Sequence, residues 1–120
     1  MGNTKAPAPP ADFAERGAAF WREVTGSYEL RSDETQLLAE ACRCLDRLDA
    51  LREAVAADGL VVRDTRGRVA LHPAATEERQ VRLLLRLLLG QLDLPDPATG
   101  ETDSTKRGRA AAEARWRRAS

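Results

Sequence analysis

The sequence predicts a mainly α fold: a small helical domain in which two long helices are joined by a short β-hairpin, with an N-terminal accessory helix and a basic C-terminal tail. Three observations carry this. Apolar residues recur at helical spacing over Asp33–Asp58 and again over Ala74–Leu92. Two short runs, Leu60-Val61-Val62 and Val69-Ala70-Leu71, flank a polar stretch that contains a glycine. The charge is segregated: between Lys106 and Arg118 six cationic side chains stand against Glu113 alone, net +5 in a chain whose total is zero.

At 120 residues there is room for one domain. The composition divides it into a disordered N-terminal arm (1–11), a helical core and oligomerisation domain (12–93), a flexible linker (94–105) and a basic tail (106–120). The arm is rich in Ala and Pro, and Pro7, Pro9 and Pro10 favour extended, solvated backbone. No secretory leader is recognisable in its first residues. The accessory helix is expected over Asp12–Val24, with Phe13, Gly17, Phe20, Trp21 and Val24 at helical spacing. Glycine weakens a helix by about 1 kcal/mol relative to alanine, so Gly17 points to close packing against a neighbour. Thr25, Gly26 and Ser27 are expected to end the helix.

The first long helix carries a stripe of Leu37, Ala41, Leu45, Leu48 and Val55, widened by Leu38, Cys42 and Leu51. Ser32 or Asp33 can cap it, and Asp33 with Gln36 fits a capping box. The opposite side, including Asp46 and Asp49, reads as a solvated charged face rather than as an acid–base pair. Cys42 and Cys44 point to different sides of a helix and cannot pair with each other, and a lone C-x-C is no zinc site. Gly59 reads as a left-handed cap and Gly67 as the positive-φ residue of the hairpin. His72-Pro73 opens the second long helix, with His72 in a capping or packing role.

In that second helix, Val81, Leu84, Leu85, Leu88 and Leu92 make one apolar face, while Leu83, Leu87 and Leu89 fall outside it. A helix apolar on most sides must be covered on most sides, and one small chain supplies too little cover. Leu83, Leu84, Leu87, Leu88 and Leu89 are therefore the expected oligomer interface. Lys106, Arg107, Arg109, Arg115, Arg117 and Arg118 are the first candidates for DNA contact, and Arg63, Arg66 and Arg68 at the hairpin tip are the second. No phosphate loop, metal-ligand cluster or nucleophile–base set is recognisable, so no enzyme activity, cofactor or metal is expected.

The run Gly17-Ala-Ala-Phe20-Trp21-Arg22-Glu23-Val24, the helix through Ala41-Cys42-Arg43-Cys44-Leu45-Asp46-Arg47-Leu48 to Asp58-Gly59-Leu60-Val61-Val62, and the lead from Gly67 into Leu71-His72-Pro73-Ala74 resemble the small subunit of a tailed-phage terminase. The Ala114-Arg115-Trp116-Arg117-Arg118 end is similar to the tails of such proteins. The resemblance covers about residues 13–93 and more loosely 106–118, mostly through packing residues. It implies a ring-type homo-oligomer in the host cytoplasm, a non-catalytic factor that recognises the packaging site in double-stranded phage DNA. That factor hands the site to the terminase large subunit, which holds the ATPase and nuclease. Some members of the family carry an N-terminal helix-turn-helix, for which residues 1–30 are too short. Two other readings fit the residues alone: a small dimeric DNA-binding transcriptional regulator, and a scaffold protein whose tail docks an acidic partner.

Overall fold

The structure, a computed structural model, describes residues 6–96. Its elements are α1 (Glu15–Ser27), α2 (Ser32–Asp58), β1 (Val61–Arg63), β2 (Val69–Leu71) and α3 (Pro73–Leu92). The mainly helical architecture with a two-stranded antiparallel hairpin matches the coarse prediction. α2 is the axis of the fold. Both α1 and α3 run antiparallel to it: Gly17, early in α1, meets Cys42 and Asp46 while Val24, near its end, clusters with Leu38 and Ala39, and Val81 packs with Cys44 and Leu48 while Leu92, at the end of α3, clusters with Leu38.

Helix boundaries follow from where backbone groups find partners. α1 begins later than expected because Phe13 N–H is turned back onto the Pro10 carbonyl. It also runs on through Gly26 to Ser27: Tyr28 N–H still donates to the Val24 carbonyl, and the Thr25 hydroxyl donates to the Trp21 carbonyl. α2 is capped neither by Ser32 nor by Asp33. Glu34, buried in the first turn, accepts the Arg31 backbone N–H at 2.8 Å. Gly59 has φ 88° but ψ 154°, so it ends α2 outside the left-handed helical region, in a conformation open to glycine alone. α3 opens on Pro73 and stops at Asp93, whose φ of 48° and ψ of 56° place it in the left-handed region.

Two clusters of buried side chains hold the helices together. Trp21, Val24, Leu38, Ala39, Cys42 and Leu92 join α1, α2 and the end of α3. Cys44, Leu48 and Val81, with Leu51, Leu85 and Leu88 against them, join α2 to α3. The largest fully buried side chains are Leu38 and Cys42, from the residues that widen the predicted stripe, and Ala41 and Leu48 of the stripe itself are buried too. The two cysteines serve different interfaces, Cys42 in the first cluster and Cys44 in the second.

Both ends of the described chain are tied down. Trp21 Nε1 donates to the Pro7 carbonyl at 2.7 Å, and Phe13 meets Trp21 edge to face. Leu94 packs on the first cluster, Pro95 is buried, and the Tyr28 hydroxyl donates to the Pro95 carbonyl. Pro7 and Pro10 of the expected arm and Leu94 and Pro95 of the expected linker therefore contact the packed unit. Residues 1–5 of the arm, 97–105 of the linker, and the basic tail lie outside the described residues.

Candidate functional site

The charged face of α2 docks α1. Asp46 accepts the Ala14 N–H at 2.8 Å and the Gly17 N–H at 2.6 Å, capping α1 from a neighbouring helix. Ala14, at the N-cap position itself, offers no side-chain acceptor. Gly17 is required there: a Cβ would overlap the Asp46 carboxylate and lie 2.7 Å from the Cys42 carbonyl oxygen. Arg16 reaches Asp49 at 2.9 Å. Arg43 forks onto Asp12 at 2.9 and 3.2 Å, reaches Glu40 at 2.8 Å and lies over the Phe13 ring. The Arg43 hydrogen bonds hold the Asp12 carboxyl below its ordinary value. Asp46 and Asp49 are thus structural: helix docking replaces the solvated-face reading at these positions and at Arg43, while Glu40, Arg47, Arg52 and Glu53 are exposed as that reading expects.

The hairpin pairs Val61 with Leu71, Val62 with Ala70 and Arg63 with Val69. Asp64 organises its tip, accepting the Arg66 and Arg68 N–H groups at 2.9 Å and Arg68 Nε at 3.2 Å. Those bonds, led by the Arg68 N–H, hold its carboxyl low. Arg63 donates to the Gly67 carbonyl at 2.7 Å, and Gly67 takes φ 78° as expected. Of the three arginines proposed for DNA, Arg63 and Arg68 are therefore engaged within the tip, and the guanidinium of Arg66 is unengaged among the described residues. The strand face that carries Val61, Val69 and Leu71 is exposed.

His72 joins the hairpin to α3. Its Nδ1 accepts the Ala74 N–H at 3.0 Å, so Nε2 is the donor to Asp58, also at 3.0 Å. The single histidine is a helix cap, as expected from His72-Pro73.

α3 presents three sides. One is covered: Ala74, Val81 and Leu92 are buried, and Leu85 and Leu88 pack on the second cluster. The next carries Leu83, Leu84 and Leu87, whose exposures of 52, 50 and 66% leave a continuous apolar stripe facing water. Within the expected interface, Leu88 is instead half-buried within the chain. Leu84, expected on the core face, is uncovered. Leu89 lines an open groove of about 360 Å³ with Arg16, Ala19, Phe20, Glu23 and Leu45. The third side carries Arg79, Arg82 and Arg86, all exposed and none within reach of a carboxylate among the described residues. The two glutamates of α3 turn the other way, Glu77 to Arg47 and Glu78 to Arg52. The arginine row escaped sequence reading; its i, i+3, i+7 spacing was the available signal.

Lys106, Arg107, Arg109, Arg115, Arg117 and Arg118 lie outside the described residues. Among the described residues, no group of three His, Cys, Asp or Glu side chains can hold a metal ion, and no helix is long and apolar enough to cross a membrane. Burial, with Asp46 nearby and Arg43 opposing, pushes the Cys42 thiol up to about 12, and burial followed by Glu40 raises Cys44. Neither thiol is poised as a nucleophile.

These features define a small helical scaffold with an uncovered leucine stripe and unpaired cations on one helix. Comparison with protein-family models, with curated proteins and with solved structures finds no match.

Proposed function

We propose that this chain is a non-catalytic, self-assembling DNA-binding factor of the phage terminase small-subunit type. In this reading it acts in the host cytoplasm, gathers the packaging site of a double-stranded genome on a ring of subunits, and delivers it to the large ATPase and nuclease subunit. The observation that carries the reading is the Leu83, Leu84 and Leu87 stripe. It stands open on a helix whose Val81, Leu85, Leu88 and Leu92 already pack within the chain. Three leucines left half or more in water favour a second copy, since burying each contributes about 1.5–3 kcal/mol in full. The exposed hairpin face of Val61, Val69 and Leu71 offers a further contact of the same kind.

DNA contact is then electrostatic. The six cations between Lys106 and Arg118 act as the principal counterion-releasing segment, repeated once per subunit. Affinity for duplex should fall by about 10³ or more between 50 and 200 mM salt. The test is a chain ending at Thr105. It should keep the assembly mass of the full chain and lose most duplex binding in a mobility-shift assay. Unchanged binding would remove the tail from the DNA contact. No duplex retention by the full chain at 50 mM salt would reject the DNA-binding reading altogether.

A further inference from the structure

We infer that Arg79, Arg82 and Arg86 form a second contact on the folded body, a row that binds the phosphates of duplex DNA. The inference rests on the DNA-binding reading above and deepens it by naming a surface that the tail does not supply.

The described residues contain twelve arginines, and their pairing is uneven. Arg16, Arg31, Arg43, Arg47, Arg52 and Arg68 each have a carboxylate partner. Three of the other six lie on one side of α3. The body that carries them is acidic, sixteen Asp and Glu against those twelve arginines over 6–96, so uncompensated cations here are not a consequence of general basicity. The acids of the same helix point away, toward α2.

Spacing and stiffness fit a duplex backbone. From Arg79 to Arg86 the helix rises about 10 Å at 1.5 Å per residue. A DNA strand offers one phosphate per 3.4 Å of axis, so a row of that length spans about three phosphates. Guanidinium forks suit phosphate oxygens, and free ones need not first abandon an internal partner. α3 is fixed at both ends, by the His72 cap and by the Asp93 stop, so the row is presented on a backbone already ordered and only the side chains are left to immobilise. Protein interfaces enrich aromatic anchors at their centre. Among the described residues, the arginine that lies over an aromatic ring is Arg43 on Phe13 and not a member of this row, and the groove beside Phe20 and Leu89 has other lining residues. The geometry therefore favours a repeating anionic backbone over an acidic protein.

The test uses the full chain and a labelled 30-base-pair duplex, with affinity read by fluorescence anisotropy between 50 and 300 mM salt. The variant R79Q/R82Q/R86Q should lower the log–log salt slope by about 2.7 per engaged subunit and weaken binding about 10²-fold at 100 mM salt. R79K/R82K/R86K should keep the slope. Should the triple Gln variant fail to fold by circular dichroism, R82Q and R86Q singly should each lower the slope by about 0.9. An unchanged slope and affinity in a folded Gln variant would overturn the row while leaving the DNA-binding reading intact. Failure of the unmodified chain to bind duplex would overturn both. Loss of binding to phosphatidylglycerol-containing vesicles, with duplex binding unaffected, would reassign the row to a membrane surface and overturn it as stated.

Discussion

Gly17→Ala should destabilise the protein, although alanine is the better helix former. Helix propensity alone favours the change by up to about 1 kcal/mol. Against it, the new Cβ would overlap the Asp46 carboxylate and lie 2.7 Å from the Cys42 carbonyl oxygen, a backbone atom within α2. α1 must then move away from α2. Overpacking of this kind costs about 1–3 kcal/mol. The shift also strains the two Asp46 hydrogen bonds to Ala14 and Gly17, a cap worth about 1–2 kcal/mol. The balance is a net loss of about 1–4 kcal/mol. Gly26 supplies the internal control, since a Cβ there meets nothing within 4 Å. Gly26→Ala should be neutral or gain up to about 1 kcal/mol. Urea unfolding followed by circular dichroism, at one fixed protein concentration, measures both. A stabilised Gly17→Ala protein would refute the close approach of α1 and α2 and the capping role of Asp46.

Three further outcomes follow from the same contacts. Asp46→Ala should lower stability by about 1–2 kcal/mol in urea melts, whereas Glu53→Ala, on the exposed side of α2, should change it by less than about 0.5 kcal/mol. Neither Cys42 nor Cys44 should react with a thiol reagent at pH 8 until urea unfolds the chain, because both are buried. The Cys42 thiol is raised in the folded state to about 12, so the unfolded chain loses that proton first. Its contribution is intact below the ordinary thiol value and is lost as pH climbs toward 12, at about 1.4 kcal/mol per pH unit. Melts at pH 8, 9 and 10 should show this decline in the unmodified chain and a shallower one in Cys42→Ala.

Much of the fold was legible because its signals are local. The break at Gly59, the Gly67 turn and the His72-Pro73 start each rest on the backbone freedom or missing donor of a single residue. Gly17 was legible for a related reason: a glycine inside an amphipathic helix marks close approach, and the structure supplies the neighbour. What periodicity missed depends on long-range partners. Asp46 and Asp49 sit on the side of α2 that the repeat marks as polar, and only the arrival of α1, about thirty residues distant in sequence, turns that side into an interface. The α2 cap was missed similarly, since Glu34 acts three residues after Arg31 in place of a Ser or Asp at the start.

α3 shows where a one-dimensional pattern runs out. Its leucines occupy so much of the circumference that spacing cannot say which side meets α2. The structure selects the side of Val81, Leu85, Leu88 and Leu92, which strands Leu83, Leu84 and Leu87 and also exposes the arginine row. The excess of apolar surface was readable from the sequence. Its position, and the cations beside it, required the packed helices.

The proposal that this stripe is shared between copies is tested most directly by the solution mass, from size-exclusion chromatography with light scattering. One chain weighs 13.2 kDa. The account predicts a discrete particle of many subunits, reduced to smaller species when Leu83, Leu84 and Leu87 are replaced together by Gln. A single-chain mass of 13.2 kDa for the unmodified protein at tens of micromolar would contradict it.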